Sequence, residues 1–159
     1  MNIIIERVLA ATPEVQALVG ELNDALGTVY EPHQRHGLSI AQLFEPHMRF
    51  FLARLDGLAA GCGGAALFDG YAEVKRMYTR PAARGHGVAK AVLRRLEEEA
   101  RASGRALLRL ETGIHQHEAM GLYESVGFRL CGAFGDYAAM PAHRIETSLF
   151  YEKALRPLP

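Results

Sequence analysis

Six consecutive residues near the middle of the chain, residues 84–89 (Arg-Gly-His-Gly-Val-Ala), have the composition of an anion-binding loop. Two of them, Gly85 and Gly87, allow the backbone to approach a ligand closely. An amphipathic helical pattern follows at once, and the free N–H groups at a helix N-terminus attract negative charge. Arg80 and Lys90 add basic side chains beside the loop. The segment therefore predicts a pocket for a phosphate-bearing ligand.

Three phosphate-binding patterns compete for this segment. A Walker A loop needs Lys-Ser or Lys-Thr after its last glycine, where this chain has Val88 and Ala89. A dinucleotide fingerprint, Gly-x-Gly-x-x-Gly, has Lys90 at its third glycine and follows a predicted meander instead of opening a β-α-β fold. The third pattern, Arg/Gln-x-x-Gly-x-Gly/Ala, is met at Arg84, Gly87 and Ala89. Taken alone, it is equally compatible with a glycine-rich turn that begins a helix.

The segment before the loop predicts an antiparallel meander. Three apolar runs, residues 49–55, 58–68 and 71–79, are joined by Asp56-Gly57 and Asp69-Gly70. Asp-Gly between apolar runs is typical of a two-residue hairpin turn.

The other elements complete the order β-α-α-β-β-β-α-β-α-β-β. A meander that leads into a β-α-β crossover predicts an α/β fold with a mixed, mostly antiparallel sheet of about seven strands and helices on both sides. The remaining predicted elements are a strand at 3–8, helices at 12–27 and 39–44, a helix from the loop to 104, a strand at 106–110, a helix at 116–126, and strands at 128–134 and 145–153.

Composition and charge limit the classes of partner. A length of 159 residues predicts one domain, 1–159, with a sizeable core. The formal net charge is zero and no long run of like charge occurs, so we expect no nucleic-acid partner. No secretory signal or membrane-spanning stretch is visible, which predicts no membrane association and a cytoplasmic location. The sequence leaves a homodimer open.

Metal-binding patterns are weak in this chain. The two cysteines, Cys62 and Cys131, lie far apart in apolar, strand-like surroundings and predict buried free thiols. The histidines do not supply three or four ligands at a recognised spacing. We therefore expect no metal.

Three segments, in this order and spacing, resemble the GNAT superfamily of acetyl-CoA-dependent N-acetyltransferases. Residues 73–81 resemble the family's fourth strand and its exit, and residues 84–89 resemble its pyrophosphate loop. Residues 116–128 are similar to the family's Asn-x-x-Ala-x-x-Leu-Tyr-x-x-x-Gly-Phe, with Gln116 where asparagine is commoner. The resemblance implies a GNAT-like acyl-CoA N-acyltransferase fold and acetyl-CoA as the donor co-substrate.

The resemblance also implies roles for individual residues. Tyr123 matches a tyrosine that lies near the cofactor sulfur and can protonate the leaving thiolate. Glu73 has the spacing to Arg84 of a catalytic glutamate in some members, although a strand glutamate paired with Lys75 or Arg76 is an equal alternative. The implied cofactor contacts are Met77, Tyr78, Thr79, Arg84, Gly85, His86, Gly87, Val88, Ala89, Lys90 and Gln116.

Acceptor contacts are expected from the segments with the fewest motifs. Glu111 follows a predicted parallel strand, at the edge where ligands gather in α/β sheets. The other candidates are Tyr30, His33, Asp136 and Tyr137, whose aromatic and polar groups suit a small amine or an amino-acid-like acceptor.

The sequence thus predicts an acetyl-CoA-dependent N-acetyltransferase that acts on the amine of a small molecule by direct attack in a ternary complex. Two alternatives stay open. One is a non-catalytic acyl-CoA-binding or sensing module, and the other is acetylation of a protein amine.

Overall fold

The computed structural model describes residues 1–157, which contain one sheet of seven strands in the order β1-β2-β3-β4-β5-β7-β6. The strands are β1 (Ile3–Val8), β2 (Met48–Leu55), β3 (Leu58–Phe68), β4 (Tyr71–Thr79), β5 (Leu107–Gly113), β6 (Arg129–Cys131) and β7 (Ser148–Ala154). The α-helices are α1 (Pro13–Gly27), α2 (Val88–Ala102), α3 (His117–Ser125) and α4 (Ala142–Ile145). Short 3₁₀ helices cover Pro32–Gln34, Ala41–Phe44, Pro81–Ala83 and Gly135–Ala139.

The predicted meander is confirmed. Strands β2, β3 and β4 pair antiparallel, with Leu55 opposite Leu58 and Phe68 opposite Tyr71. Asp56 and Gly57 both adopt positive φ angles, 49° and 86°, as a tight hairpin turn requires. Helix α2 then connects β4 to β5, and these are the only two strands in the described sheet that pair in parallel. The mixed, mostly antiparallel sheet is therefore confirmed.

Helices cover both faces of the sheet, as predicted. One face carries α1, whose Val15, Leu18 and Val19 pack against inward-facing residues of β2 and β3. The other face carries α2 and α3, whose apolar side chains pack against Leu108 and Leu110 of β5. The residues of β4 alternate between these two environments, so consecutive side chains of that strand reach opposite faces.

Several local predictions were confirmed only in part. The short helix predicted at 39–44 is a 3₁₀ helix over Ala41–Phe44, and the strand predicted at 128–134 is shortened to Arg129–Cys131 because it lies at the edge of the sheet and pairs with β7 alone. Cys62 is buried, and its burial raises the pKa of the thiol to about 12. Cys131 is only half-buried, since the short edge strand leaves one side uncovered. Helix α4 was not predicted.

Candidate active site

The sheet opens between β4 and β5. These strands pair only from Tyr71–Leu107 to Val74–Leu110, and the ladder ends there. Just beyond it, the pairing of β4 with β3 shifts register, and Arg76 adopts a positive φ of 57°. Such a bulge bends a strand and interrupts its pairing. The backbone of β4 after Val74 therefore faces an opening instead of β5.

A large cleft of about 790 Å³ lies at this opening, within the size range of small-molecule sites. Its walls are the C-terminal half of α1, the end of β4, the start of α2, and α3 with the loop before it. All of the predicted cofactor residues line the large cleft except His86, which is exposed and lies outside its lining.

The start of α2 forms one wall of the large cleft and has the features of an anion site. Gly85 and Gly87 have φ angles of 81° and 84°, which side chains rarely adopt. A Cβ atom at either position would meet nothing within 4 Å, so the backbone is open to a ligand. Gly87 caps α2 without a side-chain hydrogen bond, and this leaves the first helical N–H groups without a side-chain acceptor.

A small cavity of about 130 Å³ lies on the α1 side of the opening. It is lined by α1, by the loop after the first 3₁₀ helix, by the diverging ends of β4 and β5, and by α3. The two spaces share a wall, so they meet within the opening of the sheet. The shared residues are Leu22, Leu26, Met77, Gln116, Ala119 and Tyr123.

Tyr123 is the shared residue with a group that can transfer a proton. Its ring packs against Phe128 and Tyr151, at centroid distances of 5.7 and 6.3 Å, and the residue is 6% exposed. Burial, with a smaller contribution from the charge of Glu111, raises the pKa of the phenol. Within residues 1–157 no side chain or backbone group hydrogen-bonds to its hydroxyl. The phenol is therefore protonated at neutral pH.

Glu73 lies beneath the small cavity and does not line it. The residue is 5% exposed, and its carboxylate accepts hydrogen bonds from the Tyr137 hydroxyl at 2.7 Å and the Lys75 ammonium at 3.2 Å. Lys75 also donates to the Tyr137 hydroxyl and to the backbone carbonyl of His36. Burial and the Glu73 charge raise the pKa of Tyr137. The Glu73 carboxylate is thus held in a buried network of hydrogen bonds from Tyr137 and Lys75.

Glu111, at the end of β5, does line the small cavity. Its carboxylate accepts a hydrogen bond from the Ser148 hydroxyl at 2.7 Å. Burial is the main reason that the pKa of Glu111 is raised, and the charges of His36 and Lys75 oppose that shift. A carboxylate with a raised pKa at a cavity wall is a stronger base than an ordinary carboxylate and is therefore suited to accept a proton.

The remaining acceptor candidates divide into two groups. Tyr30 lines the small cavity, where its hydroxyl accepts from the backbone N–H of His115 at 2.9 Å and donates to Gln116 Oε1 at 3.2 Å. His33 and Asp136 are exposed, Tyr137 is buried, and none of the three lines either space.

Replacing Tyr30 with phenylalanine should lower the free energy of unfolding by about 1 kcal/mol, because the loop before α3 loses two hydrogen bonds. Denaturant unfolding measures the change. Tyr71→Phe is the matched control, since that hydroxyl makes no side-chain hydrogen bond within residues 1–157. Equal losses in both variants would contradict this anchoring role.

Sequence reasoning missed four basic residues in the lining of the small cavity: Arg35, His36, Lys75 and Arg76. Lys75 and Arg76 could have been found from the sequence, because charged side chains are unusual within a predicted apolar strand. No local pattern marked the first two, because they reach the cavity through the irregular segment between α1 and β2.

Residues 1–157 contain no cluster of three or more histidine, cysteine, aspartate or glutamate side chains arranged to hold a metal ion. Over the same range, the helices are too short or too polar for any of them to cross a bilayer.

Comparison with known proteins places this geometry in context. Residues 16–128 match the model of the Acetyltransferase (GNAT) family. The chain is 40% identical to the IAA acetyltransferase of Azospirillum brasilense over 156 residues, which are 97% of this chain and 99% of that protein. It is 35% identical to the uncharacterized N-acetyltransferase YsnE of Bacillus subtilis over 145 residues, covering 89% of this chain and 93% of that one.

A similar solved structure comes from Klebsiella pneumoniae and is assigned to the acyl-CoA N-acyltransferases. It superimposes with a TM-score of 0.81 at 33% identity, over 97% of this chain and 98% of that one. The similarity therefore extends over nearly the whole of both chains.

Proposed function

The chain belongs to the GNAT family of acetyltransferases, and from this membership we propose that it transfers an acetyl group from acetyl-CoA to the amine of a small molecule within a ternary complex. The observation that carries the proposal is the shared wall between the large cleft and the small cavity. A donor in the first and an acceptor in the second would meet at Tyr123.

The large cleft fits the donor. Acetyl-CoA would supply the acetyl thioester, and its pyrophosphate suits the N-terminus of α2, where Gly85 and Gly87 expose backbone N–H groups. Arg84 and Lys90 add positive charge at the same wall. The backbone of Met77–Thr79 has no partner in β5, so its polar groups are available to the pantetheine arm and the thioester carbonyl.

Two side chains have the positions needed for proton transfer. Glu111 would accept the proton of the attacking amine, because it lines the small cavity and burial raises its pKa. Tyr123 would donate its phenolic proton to the departing thiolate. The amine loses one proton to Glu111 and the thiolate gains one from Tyr123, and proton exchange with solvent would return both side chains to their starting states.

We assign Glu73 a supporting role in place of the base role that its spacing suggested. Its carboxylate is occupied by Tyr137 and Lys75 and lies outside the cavity lining. Through these contacts it would hold Lys75 at the cavity wall. Tyr30 would shape the acceptor site by fixing the loop at His115 and Gln116.

Acetyl-CoA at about 100 times its dissociation constant should raise the melting temperature by about 5–10 °C, because the folded chain alone binds it. Differential scanning fluorimetry measures the shift. S-acetylpantetheine, which lacks the pyrophosphate and the nucleotide, is the control and should give a much smaller shift at the same concentration. Equal shifts would contradict the role of the loop at residues 84–89, and no shift with either ligand would contradict donor binding.

A further inference from the structure

Two arginines in the small cavity have no carboxylate partner. Arg35 and Arg76 both line it, and within residues 1–157 neither forms a salt bridge. Arg76 is only 8% exposed, and the Nε atoms of both side chains are buried without a hydrogen-bond partner. One Nη of Arg76 donates to the side-chain oxygen of Asn23. Buried guanidinium N–H groups without an acceptor are rare, because each unmade hydrogen bond costs free energy.

The two charges also repel each other. Burial lowers the pKa of Arg76, and the charge of Arg35 lowers it further. Lys75 is paired with Glu73, and within residues 1–157 Glu111 forms no salt bridge with either arginine. The α1 side of the small cavity therefore carries unbalanced positive charge.

The fold holds Arg76 at this position. The bulge in β4 gives Arg76 its positive φ and places its side chain on the α1 side, beside Gly37. A Cβ atom at residue 37 would overlap the Arg76 guanidinium, so glycine at this position leaves room for the charged group. Strain and burial of this kind concentrate at binding sites.

We propose that Arg35 and Arg76 bind a carboxylate of the acceptor, which makes the acceptor an amino acid or a similar molecule that carries both an amine and a carboxylate. The inference rests on the proposed function and specifies its substrate class. A carboxylate satisfies guanidinium N–H groups in a planar, bidentate arrangement and neutralises the repelling pair. Its amine would then extend toward Glu111 and Tyr123, on the other walls of the same cavity.

Paired acceptors test the proposal. Each amino acid of a panel is compared with its own carboxamide, which keeps the amine and removes the negative charge, and kcat/KM is followed by release of the CoA thiol. The wild-type chain should prefer the acids by about tenfold or more, as expected for lost charge-assisted hydrogen bonds. This preference would oppose intrinsic reactivity, because the amide has the less basic and more readily deprotonated amine.

Arg35→Gln should raise KM for the acids toward that for the amides, so that the preference for acids falls toward unity. Arg94→Gln, an exposed α2 arginine outside both cavities, is the matched control and should keep the wild-type preference. Equal use of acids and amides by the wild-type chain would overturn the proposal, as would equal effects of the two variants. A preference for 2-aminoethyl phosphate over β-alanine would overturn the assignment to a carboxylate.

A binding assay separates this inference from the proposed function. Butyrate, which has no amine, should raise the melting temperature of the wild-type chain more than butyramide does, and Arg35→Gln should remove the difference. This result would support the anion site even if no amine were acetylated. Acetylation of amines without any preference for butyrate would overturn the anion site and leave the acetyltransferase function intact.

Discussion

Replacement of Tyr123 with phenylalanine should lower kcat by about 100-fold, the lower end of the range for general acid–base catalysis, without weakening acetyl-CoA binding. The ring fills the same space against Phe128 and Tyr151, so packing is retained. Only the phenolic proton is lost, and residues 1–157 place no hydrogen bond on that hydroxyl that the fold would miss. The loss should therefore fall on the chemical step.

Steady-state thiol release gives kcat for the Tyr123 variant, and calorimetry gives the dissociation constant of acetyl-CoA. Tyr151→Phe is the matched control, because that tyrosine is also buried, touches Tyr123 and lines neither cavity. Its kcat should stay close to the wild-type value. Wild-type turnover in Tyr123→Phe would remove the proposed acid, and a weaker affinity for acetyl-CoA would indicate a binding role instead.

The sequence indicated the large cleft because its loop wall depends on local backbone conformation. Gly85 and Gly87 are needed where φ is positive, and the helix begins at the next residue. Both features follow from residues that are adjacent in the chain. The hairpins at Asp56-Gly57 and Asp69-Gly70 were predictable for the same reason, and they fixed the order of three strands.

The small cavity could not be predicted in the same way, because segments that are distant in the chain form its lining. Glu73 and Glu111 lie on the same face of the sheet, and spacing alone favoured Glu73 as the base. Tyr137, from a segment far along the chain, binds Glu73, while Glu111 is left at the cavity wall. Arg35 enters from the irregular connection between α1 and β2, which has no periodicity to interpret.

Replacement of Glu111 with glutamine should lower kcat/KM at neutral pH by about 100-fold and remove one limb of the pH profile. Burial raises the pKa of Glu111 above its ordinary value of 4.5. The carboxylate accepts a proton only when ionised, so wild-type kcat/KM should fall as the pH drops through this raised pKa. Glutamine cannot accept the proton, and that limb should disappear.

Two acceptors of different basicity separate the enzyme's ionisation from that of the substrate. A limb that belongs to Glu111 stays at the same pH with both acceptors, whereas a limb that belongs to the amine moves with the amine's pKa. Glu73→Gln is the informative comparison and should retain the limb, because that carboxylate lies outside the cavity lining. If Glu73→Gln removed the limb and Glu111→Gln kept it, Glu73 would be the base.

The carboxylate of Glu111 should also affect the free energy of unfolding, which can be measured independently of activity. A raised pKa means that the folded chain binds more protons than the unfolded chain between pH 4.5 and the raised value. The contribution of Glu111 to stability therefore falls as the pH rises through that window. Glu111→Gln removes this cost and should be at least as stable as the wild-type chain at pH 8, in denaturant unfolding. Lower activity combined with undiminished stability would show that Glu111 serves catalysis. Replacement of a residue that serves the fold would instead lower the free energy of unfolding.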